Sequence, residues 1–441
     1  MKRKIFYIFL LCIFLFQINI AYAQNASNEA SVENYQIETN SNSEDNLDLK
    51  KSSVNVYSNA AILMDSKTNT ILYSKNAYEK KYPASTTKIL TAIIAIEKCN
   101  LDDIVTVTKS AISAIPSGYS SAYLSENEQI SVNDLLTVFL VHSANDAGYI
   151  LAEHISGSID NFANLMNEKA NDIGCKNTHF TNPSGIHDVN HYTTAYDLAL
   201  IAKYCMQNTT FRNIVSKKTC TINSTNKFGV RSYINTNDLI NPASKYYIEE
   251  CIGIKTGYTS QAKNCLISAY NKNNLELICV VLGASQLQNG ESSRYLDSKN
   301  LFNFGYTNFS LKTFANKGDS VYSVCIKNGS KNTQDLDLVL DSSISGLAKN
   351  SSSIPEPTIT LKENLSAPIA ENSIVGTISY KVFDTTYTAN LLASHSVETN
   401  NTLLFGLIFL LIIIVILIFI ITYSLKLKKT NKRKSKYNSL I

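Results

Sequence analysis

Residues Leu403 to Tyr423 form an uncharged, almost wholly apolar stretch. A helix over it, at about 1.5 Å per residue, is roughly 31 Å long, which matches the hydrocarbon core of a bilayer. The stretch divides the chain into parts that must lie on opposite sides of a membrane. Lys426, Lys428, Lys429, Lys432, Arg433, Lys434 and Lys436 follow it. The positive-inside rule places such a cluster in the cytoplasm. The expectation is a single-pass span over 403–425, a basic cytoplasmic tail over 426–441, and everything before the span outside the cell membrane.

The opposite end agrees. Lys2, Arg3 and Lys4 precede an apolar run from Ile5 to Ile20, and Ala21-Tyr22-Ala23 gives a small-x-small cleavage pattern. That is the plan of a secretory signal peptide over 1–23. With these three and the seven C-terminal basic residues set aside, the formal charge of +4 becomes −6. The basic balance therefore reports membrane topology and argues against a nucleic-acid partner.

The 441 residues exceed one ordinary domain. Residues 24–53, rich in Ser, Asn and Glu, read as a disordered linker. From about Val54, strands are expected over Ala60–Asp65 and Thr70–Tyr73, and Ser85 is expected to open a helix. Further helices are expected over Val132–Val141 with Ser131 as N-cap, Asn145–Ile155, Ile159–Ile173 and Thr194–Met206. Cys265–Tyr270 and Leu275–Leu282 flank Asn271-Lys272-Asn273-Asn274 as a hairpin, and a helix near Arg294–Phe304 closes the unit. Strands at both ends with helices between them predict an α/β (α+β) layered domain over 54–309, its antiparallel sheet flanked by helices. Short alternating runs over 310–394 predict a small all-β domain, sandwich-like, that stands the first domain off the membrane. Eight cysteines remain beyond the signal peptide, without CxxC pairs or metal spacing, and are expected to be mostly free thiols.

Three short strings carry chemistry. In Ser85-Thr86-Thr87-Lys88, the i, i+3 spacing puts a hydroxyl and an amine on one helix face, within hydrogen-bonding reach. A lysine serves as a base only if desolvation and a second cation lower its pKa, and Lys255 is the candidate cation. Alone, the string also fits an ordinary N-cap serine beside an exposed lysine. Ser143-Ala144-Asn145 falls on a loop between two helices, where a second hydroxyl can relay a proton and an amide can hold substrate, or where either side chain can simply cap a helix. Lys255-Thr256-Gly257 offers a cation and a hydroxyl for a carboxylate, and Gly257 permits close approach to the backbone, as at an edge strand.

In this order the strings resemble serine-type D-alanyl-D-alanine carboxypeptidases, the low-molecular-mass penicillin-binding proteins, although Ala144 stands where the related motif has Asp. Asn182-Pro183-Ser184-Gly185, His191 to Asp197 and Gly253 to Thr259 extend the resemblance, which covers about Val54 to Phe309 with a family-like β domain behind it. It implies a β-lactamase/transpeptidase-like fold and removal of the terminal D-alanine from peptidoglycan pentapeptide stems. It implies Ser85 as the acylated nucleophile, Lys88 as its base, Ser143 as a proton shuttle and Asn145 as a substrate-positioning amide. Lys255 and Thr256, with Gly257 and Tyr258 beside them, would bind the terminal carboxylate or its mimic in β-lactam antibiotics. The N–H groups of Ser85 and Tyr258 would form an oxyanion hole.

Two other readings share these strings. A serine β-lactamase would deacylate with a glutamate in a Glu-x-x-Leu-Asn string, which does not occur between Ser143 and Lys255. A non-catalytic penicillin sensor would need a cytoplasmic output domain, for which residues 426–441 are too short. His179, His187, Asp188 and His191 lie close together but lack zinc-ligand spacing, so neither a metal nor any other cofactor is expected, and His142 reads as structural.

Overall fold

The computed structural model of the protein describes residues 54–437. The signal-peptide and linker assignments and the last four residues of the tail lie outside them.

The chain enters through an antiparallel pair, β1 (Ala60–Asp65) and β2 (Ile71–Lys75). A 3₁₀ turn over Ala84–Thr87 runs directly into α1 (Lys88–Lys98). A mainly helical region follows: β3 (Ile104–Thr106), α2 (Lys109–Ser113), β4 (Gln129–Ser131), α3 (Val132–Val141), α4 (Asn145–Ser156), α5 (Ile159–Ile173), α6 (Ala195–Met206) and α7 (Thr209–Val215). Its helix starts are written locally. Ser131, Ser158 and Thr194 each accept a backbone N–H three residues on, satisfying one orphan donor of the first turn. α5 stops at Gly174, whose φ of 103° suits a residue without Cβ.

A small ribbon, β5 (Thr219–Ile222) with β6 (Arg231–Ile234), leads to β7 (Cys251–Thr259), β8 (Lys263–Lys272) and β9 (Leu275–Ala284). These complete a five-stranded antiparallel sheet ordered β2-β1-β9-β8-β7. Strand alternation divides the core. Ala60, Ile62 and Met64 face the helical layer, together with Ile278, Val280 and Leu282. Ala61, Leu63, Leu277 and Val281 face the opposite side, against Tyr295, Leu301 and Phe302 of α8 (Ser293–Asn308). Both faces are covered, so the central strands read as continuous apolar runs.

The β8–β9 hairpin differs from the sequence expectation. Lys272 pairs with Leu275, leaving a two-residue turn at Asn273-Asn274 in place of four loop residues. Their φ values of 52° and 64° fit the primed hairpin turn, which asparagine tolerates. The start of α1 also differs: Ser85 lies within the 3₁₀ turn and makes no N-cap bond.

After β10 (Phe309–Ala315) come β11 (Ser320–Cys325), β12 (Asp335–Leu340), β13 (Ile344–Lys349), β14 (Thr358–Leu361), β15 (Ile374–Val382) and β16 (Thr385–Ala393). β10 pairs with β13, and the other five form a second sheet, ordered β11-β12-β16-β15-β14. Phe314 and Ile344 from the first share one core with Leu338, Ile378 and Leu391 from the second, giving the all-β sandwich. α9 (Thr402–Tyr437) then contains a helix long and apolar enough to cross a membrane, with a mean hydropathy of 3.7.

Candidate active site

Four segments meet at the N-terminal end of α1: the 3₁₀ turn, the α3–α4 junction, the loop at Asn182–Gly185, and edge strand β7. The i, i+3 spacing puts Lys88 Nζ 2.9 Å from Ser85 Oγ. Nζ also lies 2.8 Å from Asn145 Oδ1 and 2.8 Å from the Ser184 carbonyl. Both of those are acceptors. An uncharged amine has two N–H bonds for them and one lone pair, which is left facing the Ser85 hydroxyl. Asn145 is held in register because its Nδ2 donates to the Ser120 carbonyl at 2.8 Å.

Lys88 is fully buried. Burial, and then the positive charge of Lys255, hold its pKa well below the usual lysine range, while Asp146 pulls the other way. Asp146 spends its carboxylate on Ser121 Oγ at 2.7 Å and on the N–H groups of Ala122 and Leu124, both at 3.0 Å. It thereby pins the 120–124 segment to the first turn of α4.

The α3–α4 junction forces Ser143 into a left-handed backbone, φ 68°, unusual for a residue with Cβ. Ser143 is buried, but no hydrogen bond joins its hydroxyl to Ser85 or Lys88. Strain of this kind is tolerated where the surroundings over-determine a position.

β7 closes the other side. A Cβ built on Gly257 would lie 2.9 Å from Ser85 N, so only glycine lets this strand approach the turn so closely. As the second residue of the turn, Ser85 has an N–H with no acceptor inside it. Lys255 is buried, with Nζ 3.1 Å from the Thr256 carbonyl. Burial, and then Arg294, press its pKa down to about 7. Thr256 Oγ1 shares a 2.6 Å hydrogen bond with Thr236 Oγ1. Tyr258 is 63% exposed at the rim.

Sequence reasoning missed Arg294. It reaches in from the start of α8, with Nη1 3.5 Å from the Gly257 carbonyl and a buried Nε that has no hydrogen-bond partner. No local motif marks it. The parts played by Asp146 and His191 were also not foreseen. Burial pushes His191 down to about 3, so its ring is neutral. Nδ1 accepts from Thr181 N at 3.1 Å, which leaves Nε2–H to donate to Thr87 Oγ1 at 2.8 Å. Thr87 in turn donates to Ala84 O at 2.9 Å, bracing the turn that carries Ser85. Among the described residues no group of three or more His, Cys, Asp or Glu is placed to hold a metal ion.

Residues 47–286 match the family D-alanyl-D-alanine carboxypeptidase, and residues 309–399 match the penicillin-binding protein 5 C-terminal domain. The chain is 33% identical to D-alanyl-D-alanine carboxypeptidase DacF of Bacillus subtilis over 73% of its own length and 81% of the relative's. It is 33% identical to D-alanyl-D-alanine carboxypeptidase DacA of Haemophilus influenzae over 73% of its own length and 80% of the relative's. The solved structure of penicillin binding protein 5 from Haemophilus influenzae has a TM-score of 0.59 at 30% identity, covering 79% of this chain and 99% of that one.

Proposed function

Because this chain belongs to the D-alanyl-D-alanine carboxypeptidase family, we propose that its reaction is acyl transfer through Ser85, with Lys88 as general base. The observation that carries this reading is the trio of contacts on Lys88 Nζ, which leaves a buried, low-pKa amine facing the Ser85 hydroxyl.

Ser85 Oγ attacks the carbonyl carbon of the penultimate D-alanine of a pentapeptide stem while its proton passes to Lys88 Nζ. The oxyanion takes hydrogen bonds from the N–H groups of Ser85 and Tyr258. The C–N bond then breaks, and the Lys88 proton reaches the leaving amine through the Ser143 hydroxyl. Asn145 positions the substrate amide beside Lys88. Lys255 and Thr256, with Arg294 behind them, hold the terminal carboxylate, which the Gly257 backbone lets in closely. Water attacks the acyl-enzyme and releases the tetrapeptide stem from Ser85. A β-lactam follows the first half of this course and stays on the serine.

The site belongs to a catalytic unit over 54–309, with the β domain over 310–394 between it and α9. The basic residues after the apolar part of α9 support an inside C-terminus and an outside catalytic domain.

Labelled penicillin should form a long-lived adduct on the wild-type protein and none on Ser85→Ala. D-Alanine release from a pentapeptide should fall at least about a thousandfold in that variant, the scale of losing a covalent nucleophile. Equal release by the two proteins would remove Ser85 from the mechanism.

A further inference from the structure

A cavity of about 510 Å³ lies against the free edge of β2, away from Ser85. Its wall includes Thr68 to Thr70 of the β1–β2 turn and every residue of β2 from Ile71 to Ser74. An unbroken run is what a strand edge presents, since a strand face shows only alternate residues. β2 ends its sheet, so the backbone along that edge has no strand partner. Tyr78 and Tyr196 form one side, with ring centroids 5.0 Å apart and Tyr78 55% exposed. Phe383 and Asp384, at the tip of the β15–β16 hairpin, form the other, so the cleft is shared between the catalytic unit and the β domain.

The chemistry of the lining is specific. Asp384 is its one charged residue, and the rest are hydroxyls, an amide, aliphatics and aromatic rings. Without a cation it does not select phosphate or other anions. Among the described residues, the phenol hydroxyls of Tyr73, Tyr78 and Tyr196 make no hydrogen bond to a protein group. Thr68, Asn69 and Thr70 spend their polar groups on Asp65, Lys203 and each other, but apolar ring faces bordered by free phenol hydroxyls and by the unpaired edge of β2 suit a neutral pyranose, which has C–H faces and a polar rim.

We propose that this groove binds the N-acetylated amino-sugar strand of peptidoglycan, holding the polymer while one of its stems enters the catalytic cleft. The proposal rests on the stem-peptide reading of the Ser85 site. The chain from Tyr78 to Ser85 spans seven residues and at most roughly 25 Å, and an extended pentapeptide stem reaches about 17 Å. Both lengths are of one scale, and a tethered stem meets Ser85 at a raised effective concentration.

Titration calorimetry of the full-length protein in detergent with an N-acetylglucosamine tetramer tests binding without turnover. Wild type and Tyr78→Phe should bind it, and Tyr78→Ala should bind it at least tenfold more weakly. In parallel, Tyr78→Ala should lose about tenfold in kcat/KM on pentapeptide-bearing glycan strands. On the free pentapeptide, and in penicillin acylation, it should stay within twofold of wild type. Absence of tetramer binding to wild type, an equal loss on both substrates, or binding of a free extended peptide in place of the sugar would overturn the proposal. Failure of wild type to hold penicillin on Ser85 would instead overturn the nucleophile assignment, and the calorimetry is independent of it.

Discussion

Lys88 and Lys255 are both buried amines, and the proposed mechanism gives them different tasks. Lys88 must be uncharged to act as a base, and Lys255 must be charged to hold a carboxylate. The charge on Lys255 helps to depress Lys88, so the two requirements are met together. The pH dependence follows from the signs. As pH rises through the lowered pKa of Lys88, the free amine appears and kcat/KM climbs. As pH passes about 7, Lys255 in the free enzyme loses its charge and kcat/KM falls. A bell is expected, with its alkaline limb set by Lys255. Lys255→Arg should move that limb upward by more than one pH unit, because arginine stays protonated. An alkaline limb that does not move in this variant would assign it to another group. Ser85, Lys88 and Asn145 were legible as candidates because their spacing or loop position is itself the chemical signal. Arg294 was not, because it comes from a helix start 39 positions beyond Lys255, with nothing local to mark it.

At the scale of elements, legibility followed length and capping. α3 and α5 have the expected boundaries, since each combines apolar periodicity with a serine cap. α2, α7 and the strands β3 to β6 are three to seven residues long, too short to show a period. In the sequence only Gly257 points to β7 as an edge strand, and its extent is hidden for another reason: its middle is buried at five consecutive positions, including Lys255 and Thr256, so it shows no alternation. The 3₁₀ turn depends on a tertiary contact that no local pattern contains. A Cβ on Gly185 would fall 1.8 Å from the Ala84 carbonyl oxygen, in the turn that carries Ser85. Gly174 also has positive φ, but a Cβ there would meet nothing within 4 Å. Gly174→Ala should therefore cost only backbone strain, about 1–2 kcal/mol, and keep penicillin acylation intact. Gly185→Ala should displace the turn and slow acylation by more than tenfold. Thermal unfolding and acylation rates measured on both variants decide this, and equal acylation would show that the turn does not depend on the contact.

Across the whole molecule, the two folded units share apolar surface. Phe309 and Leu347, from β10 and β13, are buried in the same cluster as Leu277, Leu301 and Phe302 of the catalytic unit. Phe309 also meets Phe383 of the β15–β16 hairpin, with centroids 6.1 Å apart. Asn350 adds hydrogen bonds, its N–H to the Asn308 carbonyl and its Nδ2 to the Thr307 carbonyl, each at 2.8 Å. Sequence periodicity identified the β domain as a separate unit but could not reveal this seam, because the contacts are long-range and involve single aromatics. The seam should make the two units unfold together, whereas among the described residues α9 contributes none to any of the three cores. Truncation after Asn401 should therefore release the protein from membranes while leaving its melting temperature and its activity on soluble pentapeptide nearly unchanged. Phe309→Ala should cost about 3–5 kcal/mol, as for a buried phenylalanine, and lower one shared transition. Calorimetry of the truncated chain that resolved two transitions, with only one shifted by Phe309→Ala, would show that the β domain is tethered to the catalytic unit but not folded with it.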